Sequence, residues 1–121
     1  KGGTKLSGEI DISGSKNASL PILAASILNG KKVKLYNVPN ISDVKITFEI
    51  LANLGCKIEN KNNYIIINSE EMTDTVIPDE LMRKLGSSVI LVGAILARFK
   101  KASFSHPGGC DIWWIHRIKI R

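Results

Sequence analysis

The sequence predicts an α/β layered domain. Two observations carry that expectation: segments alternating apolar and polar residues take turns with apolar segments at helical spacing, and no Pro-, Gly- or Ser-rich linker interrupts them. A third agrees, since 121 residues with 44% apolar and 23% charged content suit one globular domain with a core.

The elements follow in order. Lys5 to Ile12 places Leu6, Gly8, Ile10 and Ile12 on one strand face, with polar or charged residues between. Ser13-Gly14-Ser15-Lys16-Asn17 breaks that strand. Residues 17–29 are rich in Ala, Leu and Ile and predict a helix, in which Pro21 is tolerated by lying near the first turn and which Asn29-Gly30 ends. Val33 and Leu35, with Asn37 a further candidate, alternate with Lys32, Lys34 and Tyr36 as a half-buried strand with its lysines in water. Ser42 suits the N-cap of a second helix, whose buried stripe is Val44, Thr47, Phe48, Leu51 and Leu54 and whose stop is Gly55. Strands at 56–59 and 64–68 flank Asn60-Lys61-Asn62-Asn63, a hairpin loop. A long helix is expected from Asp79 to Phe99, then a strand beginning at Ala102 to Ser105. A strand followed by an Ala/Leu-rich helix recurs, as duplicated βα units would give.

Composition narrows the function. The net charge of +6 points to an anionic partner, either nucleic acid or a phosphorylated metabolite. Residues 111–121 hold three basic side chains and one acid, so the tail alone supplies +2 of it, and the other lysines are scattered as on a solvated surface. Two cysteines, Cys56 and Cys110, are too few for a disulfide scaffold and lack zinc spacing. The longest apolar stretches, 20–28 and 89–97, fall far short of the roughly 20 residues of a membrane span. No signal peptide is visible, so the expected location is the cytoplasm, away from membranes. A first residue of Lys1 rather than Met is expected of a piece of a longer protein.

Two short stretches could carry chemistry. Ser13 to Asn17 lies between a strand and a helix start, where free backbone N–H groups and the positive end of the helix dipole favour a phosphate or carboxylate. Lys16 would add a formal charge and Asn17 a directional amide; the alternative is a plain turn with one exposed lysine. In Pro107-Gly108-Gly109-Cys110, two glycines give an open backbone able to carry a thiol over a ligand, as acid or nucleophile; the alternative is a glycine turn with an incidental cysteine. His106 and His116 fit neither a metal site nor a Ser-His-acid arrangement, and no metal or cofactor is expected. Trp113, Trp114 and the basic residues after them could instead form a small nucleic-acid-binding tail.

Taken together, Gly2-Gly3, LSGEIDISGSKNASLPILAASIL, VPNISDV, LANLGCKIE, LARF and SHPGGCDI resemble the UDP-N-acetylglucosamine enolpyruvyl transferases over about residues 2–112. The related shikimate-phosphate transferases share the fold but lack the cysteine loop. The resemblance implies part of an inside-out α/β barrel built from βα repeat units. It also implies a cytoplasmic enzyme that transfers the enolpyruvyl group of phosphoenolpyruvate to the 3-hydroxyl of UDP-N-acetylglucosamine, the first committed step of peptidoglycan synthesis. Lys16 and Asn17 would contact phosphoenolpyruvate. Cys110 would protonate its methylene carbon, and is the cysteine that fosfomycin alkylates in that family. Residues 1–15 would be a strand segment belonging to the other, C-terminal domain, so that residues 5–12 would here lack their normal sheet neighbours; 16–112 would be a partial enolpyruvyl transferase domain, and 113–121 an aberrant tail. Without the missing C-terminal portion, which it would need as a partner, the 121-residue chain is expected to be inactive, with no nucleic acid as ligand.

Two departures stand out. Gly86 occupies the position of a family arginine that contacts the nucleotide sugar. After Ile112 the family pattern stops and Ile115 stands where another arginine belongs, as a reading-frame shift would produce; a nonfunctional truncated product is the remaining alternative.

Overall fold

The computed structural model describes residues 2–104. Seven elements follow in chain order: α1 (Lys16–Ala25), β1 (Lys32–Tyr36), α2 (Ser42–Asn53), β2 (Lys57–Asn60), β3 (Tyr64–Asn68), α3 (Asp79–Lys84) and α4 (Val89–Phe99). The strands form one antiparallel sheet in the order β1-β3-β2, with β3 in the centre. Lys32 faces Asn68 and Tyr36 faces Tyr64 across β1 and β3, and Lys57 faces Asn68 across β2 and β3.

Period-2 alternation sorts the sheet's faces. Val33, Leu35, Ile58, Ile65 and Ile67 turn toward the helices, while Lys32, Lys34, Tyr36, Lys57 and Glu59 remain exposed. On that outer face the Lys34 ammonium lies 3.9 Å from the centroid of the Tyr64 ring, a cation–π contact that keeps the lysine stem over aromatic surface. Leu23, Ile27, Ile50, Leu51, Leu54, Ile67, Met82 and Ile95 are almost wholly buried and join all four helices to the sheet. Among the described residues no helix is long and apolar enough to cross a membrane.

Four expectations are corrected. Residues 5–12 form no strand and have no paired neighbour among the described residues; a lone extended segment leaves its backbone groups to water. The first helix begins at Lys16 and is regular only to Ala25, turns continuing to Asn29, so Pro21 is its sixth residue, beyond the first turn, and cannot donate to the Asn17 carbonyl. The single helix expected from Asp79 to Phe99 is two: buried Leu85 adopts an extended conformation (φ −124°, ψ 104°), and Gly86-Ser87-Ser88 turns the chain before α4. Glycine and serines are weak helix formers, and here Ser88 is buried with its hydroxyl donating to the Met82 carbonyl at 3.4 Å. The strand expected from Ala102 is, among the described residues, an isolated parallel bridge between Val76 and Ser103. A smaller shift occurs at α2: Ile41, not Ser42, is the N-cap, and Ser42 opens the helix.

Candidate anion site at two helix starts

The turn before α1 is seated by close packing. A Cβ added to Gly14 would collide with the backbone carbonyl oxygen of Asn37 and lie 3.3 Å from the Pro39 ring, so only glycine lets the turn approach the loop that leads from β1 into α2. Asn37 itself takes a left-handed conformation, with φ 55°. This packing brings the starts of α1 and α2 together.

Both starts present donors. Ser15 caps α1 through its backbone alone: its carbonyl accepts the Ser19 N–H at 2.9 Å and the Ser19 hydroxyl at 2.7 Å, and its side chain makes no capping bond. The amides of Lys16, Asn17 and Ala18 lie ahead of the first intrahelical bond, where α-helices leave N–H groups unsatisfied. Helix α2 begins in the same way, its first bond running from Lys45 N–H to the Ile41 carbonyl, with no side-chain cap. Lys16 spans the gap: its Nζ lies 2.6 Å from Asp43 Oδ2, with side chains 54% and 26% exposed. The ammonium has three N–H donors, so at least one stays available to a ligand beside the carboxylate.

Lys16 and Asn17, both exposed, are therefore adjacent at one helix start. Chemically this arrangement suits a small, partly solvated anion. It is separate from the groove of about 720 Å³ between α2 and the β2–β3 hairpin, which is lined by residues such as Tyr36, Asn37, Lys45, Phe48 and Asn62 and includes neither Lys16 nor Asn17. Gly86 is exposed in the turn after α3. Cys110, with His106, Gly108, Gly109, Trp113, Trp114, Ile115 and His116, lies outside the described residues. Among the described residues no group of three His, Cys, Asp or Glu side chains could hold a metal ion.

Asp43 is the side chain that sequence reasoning passed over. Its place in the first turn of α2, where a carboxylate meets the helix dipole, was visible. Its partner 27 positions earlier was not, because that contact depends on how the two helices pack.

Comparison with known proteins adds the following. The family model of EPSP synthase (3-phosphoshikimate 1-carboxyvinyltransferase) matches residues 1–113. UDP-N-acetylglucosamine 1-carboxyvinyltransferase 2 of Caldanaerobacter subterraneus is 47% identical over 111 residues, 92% of this chain and 27% of the relative. The UDP-N-acetylglucosamine 1-carboxyvinyltransferase of Campylobacter jejuni is 41% identical over 93% of this chain and 27% of its own length, and that of Prochlorococcus marinus 44% identical over 93% and 24%. The chain thus spans about a quarter of the length of these curated relatives. In structure it is similar to the enolpyruvyl transferase NikO of Streptomyces tendae, with a TM-score of 0.70 and 23% identity over 81% of this chain and 23% of that one.

Proposed function

Given that the chain belongs to the EPSP synthase family of enolpyruvyl transferases, we propose that it is part of a UDP-N-acetylglucosamine 1-carboxyvinyltransferase and supplies one wall of the phosphoenolpyruvate site. The amino-sugar reaction is chosen over the shikimate one because three relatives at 41–47% identity carry that name. The observation that carries the reading is Lys16 and Asn17 side by side at an α1 start whose first amides have no side-chain cap.

In this proposal the reaction joins the 3-oxygen of the sugar to the middle carbon of phosphoenolpyruvate and breaks that carbon's bond to the phosphate oxygen. Lys16 and the amides of α1 hold the anionic donor and match the charge on the departing phosphate. Asn17 orients the donor through its amide. Cys110, which follows Gly108-Gly109 in the sequence, delivers a proton to the methylene carbon as general acid while the 3-hydroxyl gives up its own proton on adding to the middle carbon. As the phosphate departs, a proton is lost again from the resulting methyl carbon and the double bond is restored. The remaining length of the relatives would supply the opposing domain, so the 121-residue chain by itself would bind the donor without turning it over. Such an enzyme would act in the cytoplasm at the first committed step of peptidoglycan synthesis, and so contribute to cell shape and division. The loss of the family pattern after Ile112 is read as a shifted reading frame, which the encoding DNA would reveal as a single inserted or deleted base.

Titration of phosphoenolpyruvate into the chain, followed by amide NMR, tests the donor site. Shifts should centre on residues 15–18, and Lys16→Ala should weaken binding at least tenfold, about 1.4 kcal/mol, as expected for a charge-assisted contact. Equal affinity of the two proteins would refute the assignment.

A further inference from the structure

The reading above gives Asp43 no part, yet it is the nearest charged neighbour of the residue on which that reading depends. We propose that Asp43 is a positioning residue for Lys16: its carboxylate takes one of the three ammonium protons and turns the other two toward the start of α1, where the phosphoenolpyruvate anion would sit. This inference rests on the proposed function, because it needs Lys16 to touch the ligand.

Three observations support it. The contact is short, 2.6 Å between Lys16 Nζ and Asp43 Oδ2, just under the roughly 2.7–2.9 Å usual for a charge-assisted N–H···O bond. The two partners are unequally held: Lys16 is a flexible four-carbon stem with its side chain 54% exposed, whereas Asp43 is short and 26% exposed, so the carboxylate is the fixed end. The fixed end is also tethered. Asp43 lies in the first turn of α2, where the dipole favours a negative charge, and the Thr47 hydroxyl donates to the Asp43 carbonyl at 2.8 Å. The Ser42 hydroxyl approaches Asp43 Oδ1 at 3.4 Å, and the contact of Gly14 with the Asn37 carbonyl keeps the two helix starts in register.

A stabilising role for the protein as a whole is a poor account of such a pair, since partly exposed ion pairs contribute little to folding. A competing role is possible chemically: Asp43 could occupy the ammonium and repel an incoming anion. The two roles predict opposite signs. Removing a positioning carboxylate weakens binding of the anion, and removing a competitor strengthens it.

The experiment is a double-mutant cycle on the 121-residue chain, with phosphoenolpyruvate as the ligand and amide NMR as the readout. Asp43→Asn should keep the wild-type amide pattern outside residues 13–18 and 41–47 and raise the dissociation constant about tenfold. Asp43→Glu should recover part of the loss, and Asp43→Asn added to Lys16→Ala should cause no further loss. Asp43→Ser, which keeps a residue favoured at helix starts, stands in for the asparagine variant if that one unfolds. Unchanged or tighter binding by Asp43→Asn, with Lys16→Ala still impaired, overturns the positioning role and leaves the donor site standing. So does a loss that persists in full in the Lys16→Ala background. If Lys16→Ala binds like wild type, or the wild-type chain does not respond to phosphoenolpyruvate, the donor site itself fails and the role of Asp43 falls with it.

Discussion

Arg98 shows how much of this fold depends on one side chain. Its Nη1 donates to the Ile27 carbonyl at 2.9 Å and its Nη2 to the Ser69 carbonyl at 2.8 Å, so one planar guanidinium ties the turn after α1 to the end of β3. Gly30 lies against the same group, since a Cβ there would come within 3.0 Å of Nη2. Arg98→Met fills the space of the stem but leaves the buried Ile27 carbonyl without a donor and the Ser69 carbonyl with only the Met72 N–H at 3.3 Å, and should cost about 1 to 3 kcal/mol in urea denaturation. A cost below about 0.5 kcal/mol would mean that water replaces the guanidinium. Close by, the Cys56 thiol is 3.8 Å from the Met72 sulfur, and burial pushes its pKa up to about 11 against a smaller opposing pull from Arg98. The unfolded thiol ionises near its ordinary value and the folded one only near 11, so between those values the folded chain holds more protons and loses stability as pH rises. The stability gap between wild type and Cys56→Ala should therefore narrow from about pH 9 upward, as equilibrium urea curves at several pH values would register; a constant gap would refute the buried neutral thiol.

At the level of elements, the site depends on where α1 starts, and that start depends on Gly14. Gly14→Ala puts a methyl group against the Asn37 backbone oxygen, which cannot rotate away as a flexible side chain could. The turn must shift, at a cost of roughly 1 to 3 kcal/mol, and phosphoenolpyruvate affinity should fall with it even though Lys16 is still present. An alanine variant with wild-type stability and affinity would show that the turn has slack. Elements with a clear period were legible in the sequence: β1, β3 and α2 stand within a residue or two of expectation, because burying one face imposes a fixed spacing. Within α2, Ile50 was missed although it is wholly buried, since it falls beside the stripe rather than on it. The break between α3 and α4 was hidden by apolar residues continuing on both sides of Gly86. Its cause is a competition between helix continuity and the burial of Leu85 and Ser88, which tertiary packing decides. In the candidate site, Lys16 and Asn17 were legible as neighbours at a helix start, although the strand expected ahead of them does not form. Asp43 was not, because a contact across 27 positions has no local spacing to reveal it.

For the whole molecule, the contrast is between residues 2–13, exposed throughout, and the packed body that follows. Leu6, Ile10 and Ile12 are 86–90% exposed, although they were read as one face of a strand. The alternation was real as a pattern, but a pattern produces a strand only where a neighbour offers backbone partners, and none of the described residues does so. Three large apolar side chains exposed in a row favour association over solubility. Their removal should accordingly leave folding alone while changing solution behaviour. A chain beginning at Ser13 keeps the Gly14 contact and every element, and its urea midpoint should match that of the 121-residue chain, with a difference in stability below about 0.5 kcal/mol. It should also remain monomeric to higher concentration in sedimentation. A loss of more than about 1 kcal/mol on truncation would show that the segment contributes to the folded body and packs where the structure gives it no contact.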